Sequence, residues 1–423
     1  PNSAATTPAA TPAGAPVALG APAAPAAPKG ESWTIAASKA LYNVDGWGDG
    51  YFDVNEAGHV VVRPDKQRPD RTVNLYELAR DLEAQGVGLP VLLRFSDILR
   101  SRIELLHEKF VAAIQEFEYT GTYTTVYPIK VNQQRHVVEE IVEFGKATGV
   151  GLECGSKPEL QAVLALSERA DHLIICNGYK DEEFTDTAML AQKLGRNPVI
   201  VIEKLSEVDL VLEVARRRNI RPMIGVRSKL SAQGRGHWET SSGDKAKFGL
   251  TARDIVLLVE KLRSEGYLDC LRLLHFHIGS QISHIRTVKE AVREAARTYT
   301  ELVRMGAPMG ILDVGGGLGV DYDGSRSAFD SSTNYSLQEY TNDIVYYIAD
   351  VCNAEKVPHP DIVSESGRAI VAHHSVLIVE VFGAIEKVRP GNFLQYGESE
   401  HPLVKELLDI DRKSTRLNSS HRT

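Results

Sequence analysis

The sequence predicts an α/β fold in which eight parallel strands alternate with helices and close into a (β/α)8 barrel. From about residue 123, short apolar runs recur, each followed by a polar or glycine-containing end and then by apolar residues spaced three and four apart. The runs are apolar nearly throughout, which is typical of strands buried on both faces. Such alternation favours right-handed parallel units, with an open doubly wound sheet as the alternative to a closed barrel.

The predicted strands are short and regularly spaced. Helical periodicity fills the intervals between them, as in "HVVEEIVEFGKAT" and "SEVDLVLEVARRR". The strands cover residues 123–130, 150–155, 172–178, 198–203, 221–227, 272–279, 311–317 and 361–367.

The segments on either side of the barrel, predicted at 91–375, have a different character. Residues 31–90 contain "GYFDVNEAGHVVVRP", which is typical of an antiparallel hairpin that turns at "NEAG". We interpret them as the N-terminal segment of a second, β-rich domain that is present only in part. Residues 376–410 would begin a C-terminal β and helical region, and "SVLIVEVFGAIEKV" after the barrel would contribute another strand to the β-rich domain.

Both ends of the chain are unusual in composition. Residues 1–30 are rich in Ala and Pro and have too few bulky apolar residues to pack, so we expect a disordered leader. Residues 411–423 lack periodicity, and Asp411 to His421 match one translated frame of a short-read sequencing adapter. We expect them to be an artefact, and we expect the natural protein to continue past Ile410.

Composition narrows the range of functions. The 423 residues carry a formal charge of −8 and no block of basic residues, which argues against binding of nucleic acid or membranes and favours a small-molecule substrate. The four cysteines form no CxxC pair, so neither a disulfide framework nor a zinc site is indicated. No apolar run is long enough to span a membrane, and a cytoplasmic location is expected.

Polar residues stand at the predicted carboxyl ends of the strands, where barrel enzymes place their active sites. Each has a purely structural interpretation: a lysine extending into water, a core histidine, a tight glycine turn or an ordinary ion pair. Their joint occurrence at strand ends favours a common site. They are Lys130, Glu153, Asn177, Glu203, Arg227, His277, Gly279, Ser280, Gly315, Gly316, Gly317, Glu365 and Arg368.

One cofactor accounts for this set of residues. Adjacent glycines let backbone N–H groups approach a phosphate, and a nearby arginine adds a charged contact. A lysine can bond to a carbonyl cofactor, helped by the lowered amine pKa that we expect at an apolar barrel mouth. A glutamate can hold a pyridinium N–H. Phosphate, aldehyde and pyridine nitrogen in one ligand describe pyridoxal 5′-phosphate (PLP).

Long, ordered motifs from about Ser32 to Ile410 carry a family resemblance. They are "LYNVDGWGDGYFDVN", "YPIKVNQQRHVVEEIV", "GLECGSKPEL", "ICNGYKD", "AKFGL", "LHFHIGSQI", "ILDVGGGLGVDYDG" and "SESGRAIVAHHS". The segment resembles the biosynthetic arginine decarboxylase family, PLP enzymes of the alanine-racemase-like barrel class.

The resemblance implies a role for each matching residue. Lys130 would be the cofactor-linked lysine, His277 the ring-stacking residue and Glu365 the pyridinium partner. Phosphate contacts would come from Ser280, the three glycines and Arg368, while Glu153 and Arg227 would orient the lysine and glutamate. The implied substrate-binding stretch comprises Leu312, Asp313, Val314, Gly315, Gly316, Gly317, Leu318, Gly319, Val320, Asp321 and Tyr322.

The implied activity is decarboxylation of L-arginine to agmatine and CO2, the first step of a polyamine (putrescine and spermidine) route. The resemblance also implies a dimer or tetramer, and a magnesium requirement whose site the sequence does not locate. An acidic pocket for the guanidinium is suggested at Asp321 and Asp323. Since family members complete the site with C-terminal residues, this chain alone is expected to be poorly active.

Two alternatives to arginine decarboxylation stay open on the sequence. One is a different PLP barrel enzyme, namely a racemase or an ornithine, lysine or diaminopimelate decarboxylase. The other is a non-catalytic homologue of the same fold that binds a partner protein.

Overall fold

The computed structural model describes residues 33–66, 68–167, 169–230, 247–385 and 401–407. Residues 33–88 and 92–377 belong to one compact unit. Residues 89–91, 378–385 and 401–407 belong to a second unit, in which residues 402–407 are helical. The predicted leader and the predicted adapter segment lie outside the described residues, as do 386–400 and 408–410 of the predicted C-terminal region.

The N-terminal part of the first unit contains a small antiparallel sheet flanked by helices. Its strands pair in the order β1, β2, β3, and residues 55–59 connect the first two, which confirms the predicted hairpin. Val44, Tyr51 and Val62 form its apolar core with Ile98 of the barrel region. The elements are α1 (Ile35–Leu41), α2 (Val44–Trp47), β1 (Phe52–Val54), β2 (Val60–Val62), β3 (Val73–Asn74) and α3 (Leu75–Ala84).

The barrel itself is closed, as predicted, by eight parallel strands in chain order. Strand β4 (Val91–Arg94) and helix α4 (Ser96–Glu116) precede it. The barrel strands are β5 (Tyr123–Pro128), β6 (Gly151–Cys154), β7 (Leu173–Cys176), β8 (Asn197–Ile202), β9 (Met223–Arg227), β10 (Leu271–His275), β11 (Ile311–Asp313) and β12 (Asp361–Glu365). All eight predicted strands are confirmed, and the last pairs with the first.

Helices follow the barrel strands. In α10 the residues that face the barrel recur three and four apart, among them Val288, Ala291 and Val292, and they are buried. Capping boxes at Thr251 and Ser336 begin α9 and α11. The helices are α5 (Arg135–Phe144), α6 (Lys157–Leu166), α7 (Glu182–Lys193), α8 (Glu207–Arg218), α9 (Ala252–Ser264), α10 (Ile285–Arg304), α11 (Leu337–Glu355) and α12 (Gly367–Val371).

A strand does follow the barrel, at β13 (Ser375–Ile378). It pairs with β4 in a two-stranded sheet, separate from the sheet formed by β1, β2 and β3. Within the described ranges, no helix combines the length and the apolar character needed to cross a membrane.

The end of the first barrel strand differs from the prediction. Strand β5 ends at Pro128, and Lys130 lies in a single 3₁₀ turn, Ile129–Val131. Proline has no N–H to continue the ladder, so the strand stops two residues before the predicted end. The lysine is therefore presented by a tight turn that follows the strand.

Alternation along the strands divides the barrel wall into two faces. Val126, Ile175, Val201, Leu273 and Val363 form an apolar cluster separate from the one shared with the helices. Their neighbours in sequence belong to that outer cluster, so these five residues point inward. Two residues after Ile175, Val201, Leu273 and Val363, at or just past the ends of their strands, the positions become polar, whereas the position two residues after Val126 is Pro128. Those polar positions include Asn177, Glu203, His275 and Glu365.

Candidate active site

A cavity of about 1270 Å³ is lined by residues from the carboxyl ends of the barrel strands. It brings together most of the site residues that the sequence predicts. These are Lys130, Glu153, Arg227, His277, Ser280, Gly316, Gly317, Leu318, Tyr322, Glu365 and Arg368.

The predicted substrate-binding stretch is divided among three places. Leu318 and Tyr322 line the main cavity together with Gly316 and Gly317, whereas Leu312, Asp313, Val314 and Gly315 are buried. Gly319, Val320 and Asp321 line a second cavity of about 350 Å³. The stretch therefore does not form one continuous wall of the main cavity.

Lys130 faces a buried carboxylate. Its Nζ lies 3.2 Å from both oxygens of Glu153, whose side chain is fully buried on β6. Burial by itself lowers the pKa of Lys130, but the negative charges of Glu153 and Glu365 outweigh it and raise the pKa above its usual value. The expectation of a lowered amine pKa is thus wrong, because two carboxylates face the amine.

Asn177, at the end of β7, connects the two carboxylates. Its Nδ2 donates to Glu365 Oε1 at 2.6 Å and to Glu153 Oε1 at 3.2 Å. Burial and the nearby charge of Glu365 raise the pKa of Glu153 to about 7, against the influence of Lys130. Glu153 can therefore gain or lose a proton near neutral pH, directly beside the lysine amine.

Glu365 ends β12 and is 4% exposed. Besides Asn177, it faces His275, whose Nε2 lies 3.4 Å from Glu365 Oε1. Burial favours the neutral acid, but the charges of His275 and Lys130 outweigh it and hold the pKa of Glu365 below its usual range. Glu365 is therefore a buried carboxylate that can accept a hydrogen bond from a ligand in the cavity.

His277 presents a neutral ring to the cavity. Burial, reinforced by the charge of Arg227, lowers its pKa to about 3. Its Nδ1 accepts a hydrogen bond from the Gly279 N–H at 3.0 Å, which places the proton of the neutral ring on Nε2. A Cβ at Gly316 would lie 3.0 Å from that Nε2, so glycine there lets the loop pass close to the ring.

Hydrogen-bond donors gather around the glycine loop. Arg368 donates from Nη1 to the Tyr322 hydroxyl and from Nη2 to Ser280 Oγ, both at 2.9 Å, while its Nε is buried without a partner. Gly315 and Gly317 have φ of +64° and +116°, which exposes backbone that a side chain would cover. A guanidinium and a hydroxyl beside a glycine loop form a suitable anion site.

Arg227 and Glu203 form a second buried pair on the wall. Arg227 Nη1 lies 3.3 Å from both oxygens of Glu203, and its guanidinium lies 5.3 Å from the ring centre of Phe248. Glu203 also accepts from the Gly178 N–H at 2.8 Å. Arg227 thus lies beside His277, whose protonation it disfavours, and makes no contact with Lys130 or Glu365 through a hydrogen bond.

The two loop aspartates suggested for a guanidinium have partners within their own loop. Asp321 accepts from Ser332 Oγ at 2.6 Å, and Asp323 accepts from Ser331 Oγ at 2.6 Å. Asp323 is not among the residues that line the main cavity, and Asp321 lines the second cavity. Their position in this structure does not support the suggested pocket.

Comparison with known families gives a direct match over the barrel. Residues 103–372 match the family described as "Pyridoxal-dependent decarboxylase, pyridoxal binding domain". The chain belongs to this family. The matched residues contain every barrel strand and every side chain of the site described above.

Several relatives of this chain are named as biosynthetic arginine decarboxylases. The protein from Gloeobacter violaceus is 51% identical over 376 residues, which cover 89% of this chain and 57% of that protein. The protein from Thermosynechococcus vestitus is 51% identical over 383 residues, covering 90% of this chain and 60% of that protein. The chain therefore spans less than two thirds of the length of these relatives.

Solved structures agree with the family match. The crystal structure of the biosynthetic arginine decarboxylase SpeA from Campylobacter jejuni superposes with a TM-score of 0.74 at 34% identity, covering 87% of this chain and 60% of that one. Diaminopimelate decarboxylase from Helicobacter pylori superposes with a TM-score of 0.57 at 21% identity, over 70% of this chain and 68% of that one, which shows the shared fold.

The residues of the cavity fit the cofactor named in the family description. The unpartnered Nε of Arg368 and the loop from Gly315 to Gly317 suit a phosphate, the buried Glu365 carboxylate suits a pyridinium N–H, and the Lys130 amine suits a carbonyl group.

Three residues of this site received no role from the sequence, namely Asn177, Glu203 and His275. A usable signal exists for His275. It lies two residues before His277 within the predicted strand 272–279, and alternation along a strand would turn both histidines to the same face.

Proposed function

We propose that this chain is the PLP-binding part of a biosynthetic arginine decarboxylase, which converts L-arginine to agmatine and CO2 in polyamine biosynthesis. The observation that carries the proposal is the convergence of Lys130, His277, Glu365 and Arg368 on one cavity. The identity of 34% to an arginine decarboxylase structure, against 21% to a diaminopimelate decarboxylase, favours arginine over other amino acids.

Four elements would hold PLP. Lys130 would bond to its carbonyl carbon, and Glu365 would accept a hydrogen bond from its ring nitrogen. His277 would lie against its ring, as a neutral imidazole can without charge repulsion. Ser280, Arg368 and the glycine loop would receive its phosphate through the donors described above. When bound, PLP supplies the electron sink that allows the bond between Cα and the carboxylate of an amino acid to break.

Glu153 would accept a proton from the Lys130 amine and return it. An amine must lose its proton before it can act as a nucleophile, and the raised pKa of Lys130 keeps that proton in place near neutral pH. Glu153 is 3.2 Å away, and its own pKa is about 7, so it can accept the proton from Nζ and return it.

Asn177 would link Glu153, which exchanges the proton with Lys130, to Glu365, the proposed partner of the ring nitrogen. Its amide donates to Glu153 and to Glu365 at the same time, which holds both carboxylates in place. Glu153 and Glu365 are both at most 4% exposed, so the hydrogen bonds from Asn177 lie away from bulk water, whereas the Lys130 side chain is 51% exposed. The magnesium requirement, the homo-oligomer and the cytoplasmic location stay predictions of the sequence.

Borohydride trapping tests the cofactor assignment. The purified chain is mixed with PLP, reduced with sodium borohydride, digested and analysed by peptide mass spectrometry. We expect the pyridoxyl group on Lys130, and we expect it to be absent from Lys130→Ala. Stable modification of a different lysine at equal yield would overturn the assignment. Lys289, in an ion pair with Asp343 on the helical layer, is the matched control position.

Substrate choice is tested separately, with spectroscopy of the PLP-loaded chain. L-arginine, L-ornithine, L-lysine and diaminopimelate are titrated in turn, and the change in the visible spectrum is recorded. We expect half-saturation at the lowest concentration for L-arginine. Preference for another of the four amino acids would replace arginine as the substrate and leave the cofactor assignment intact.

A further inference from the structure

Three ionisable side chains form a buried cluster beneath the cavity. His275, Asp313 and Glu365 end β10, β11 and β12, and they are 0%, 0% and 4% exposed. One potential ligand atom from each lies within 4.8 Å of those of the other two. Register brings them together, because His275 and Asp313 are direct partners across the two strands. We call these three residues the buried trio.

The trio contains buried polar atoms that lack hydrogen bonds. Asp313 Oδ1 accepts from the Gly315 N–H at 2.8 Å, but its Oδ2 has no partner among the described residues. In the described part of the chain, both ring nitrogens of His275 also lack a hydrogen bond, although Nε2 lies 3.4 Å from Glu365 Oε1. Buried polar groups are nearly always paired, so an arrangement of this kind requires a specific explanation.

The division of negative charge between Asp313 and Glu365 supplies that explanation. Two carboxylates at this distance in a buried site do not both ionise unless a cation faces them. Glu365 has two favourable neighbours, the Asn177 amide at 2.6 Å and the His275 ring at 3.4 Å. Asp313 has one backbone N–H, and among the described residues no cation faces it within hydrogen-bond distance. The negative charge therefore belongs on Glu365.

We propose that His275 is a positioning residue whose ring, with Nε2 3.4 Å from Glu365 Oε1, holds Glu365 as a carboxylate, while Asp313 carries a proton and is neutral. The proposal rests on the proposed function, because it concerns the carboxylate assigned to the ring nitrogen of PLP. A carboxylate accepts the N–H of a pyridinium, whereas a neutral carboxylic acid would offer a proton of its own. His275 thus determines which of these two forms PLP meets.

The other charged groups around Glu365 agree with this distribution. Lys130 faces it from the turn after β5, and Glu153 faces it from β6, paired with that lysine. His277 faces it from the loop after β10 and is neutral, with a pKa of about 3 caused first by burial. Burial, followed by the charge of Glu365, raises the pKa of Asp313 well above its usual value.

Asp313 also connects the trio to the glycine loop. Its Oδ1 receives the Gly315 N–H, and the Gly315 carbonyl receives the Glu365 N–H at 2.8 Å. The strand ends that hold the ring-nitrogen partner and the loop assigned to the phosphate therefore share hydrogen bonds. A change in charge within the trio would therefore alter the hydrogen bonds of both Glu365 and the glycine loop.

Infrared spectroscopy of the PLP-free chain tests the proton assignment without any substrate. At pH 8 the wild-type chain should show a carbonyl band of a buried protonated carboxyl group that disappears in Asp313→Asn. In His275→Gln, a further band of this kind should appear, because Glu365 gains a proton when the ring that faces it is lost. A wild-type spectrum from which Asp313→Asn removes no band would overturn the proposal.

PLP titration provides the second readout. His275→Gln should weaken PLP binding by about tenfold or more, the equivalent of roughly one pH unit of charge stabilisation. The matched control is His172→Gln, which alters another buried histidine with an unpartnered Nε2, just before β7. Equal PLP affinity in the two variants would overturn the proposal, and if His275→Gln fails to fold, the Asp313→Asn infrared comparison decides alone.

These outcomes are distinct from those that test the proposed function. A chain that prefers another amino acid as substrate would leave both readouts unchanged, since neither uses a substrate. A metal ion bound at one equivalent by the wild-type chain and lost in His275→Gln would show that the trio holds a cation instead of a proton, which would also overturn the proposal.

Discussion

Replacing Gly315 with alanine tests whether the glycine loop is required by close backbone contact. Its φ is +64°, and a Cβ built there would lie 2.1 Å from the carbonyl oxygen of Phe276 and 3.2 Å from the Cα of His277. Gly306 offers a matched control, because its φ of +84° is similar and no atom lies within 4 Å of its Cβ position. The two substitutions share the backbone strain but differ in the steric clash.

The magnitude follows from adding the two effects. Alanine in the left-handed region costs about 1–2 kcal/mol, which is the whole expected loss for Gly306→Ala. The clash at Gly315 is with backbone, so relief requires β10 to move away from β11, to which Phe276 is bonded through its N–H to the Asp313 carbonyl at 3.1 Å. Overpacking adds about 1–3 kcal/mol, which gives about 2–5 kcal/mol in all.

Chemical denaturation of both variants, followed by PLP titration, measures the difference. We expect Gly315→Ala to lose more unfolding free energy than Gly306→Ala and to bind PLP much more weakly, because the loop that would hold the phosphate is displaced. Gly306→Ala should bind PLP as the wild type does. Equal losses of stability in the two variants would show that the contact with Phe276 relaxes without cost, which would refute the reasoning.

Three further predictions concern single side chains of the site. The pKa of Glu153 is raised to about 7, so its contribution to folding is full at low pH and is lost as pH rises through 7. Glu153→Gln should therefore gain stability relative to the wild type between pH 5 and pH 8, by up to about 3 kcal/mol in denaturation curves, and a constant difference would contradict this. Arg368→Lys should weaken PLP binding about tenfold by losing two directed contacts, whereas Arg135→Lys at an exposed helix position should not. NMR titration of His277 from pH 5 to pH 8 should show no ring protonation, given its pKa of about 3, and a midpoint near 6.5 would contradict the burial argument.

The strands of the barrel were predictable because each is an apolar run bounded by polar or glycine residues. The β-rich hairpin was predictable for a similar reason, since "NEAG" interrupts two alternating segments. The end of β5 was not, because "YPIK" continues the apolar pattern while Pro128 ends the ladder. An apolar pattern records burial, and Ile129 in the 3₁₀ turn is as buried as a strand residue.

The prediction of a lowered pKa for the Lys130 amine is wrong for a different reason. An apolar barrel mouth would indeed lower an amine pKa, but the sequence does not reveal which carboxylates will face it. Glu153 is 23 residues away, and Glu365 is on the strand that closes the barrel. Barrel closure places β12 next to β5, so two anions reach one amine, and their charges outweigh its burial.

Alternation of side chains along the strands and closure of the barrel together explain why polar residues surround the cavity. Leu273 and His275 occupy successive inward positions on β10, and His277 follows in the loop, so the change from apolar to polar along that series could be predicted from the sequence. What the series could not supply is the partner of each polar residue, since a shift of one residue in register turns an inward side chain outward. His275 faces Glu365 only because Leu274 pairs with Leu312, and Leu312 with Ile362. The charge state of the ring-nitrogen partner is therefore determined by strand register, and a variant that shifts the register of β11 would disturb it without altering any residue of the cavity wall.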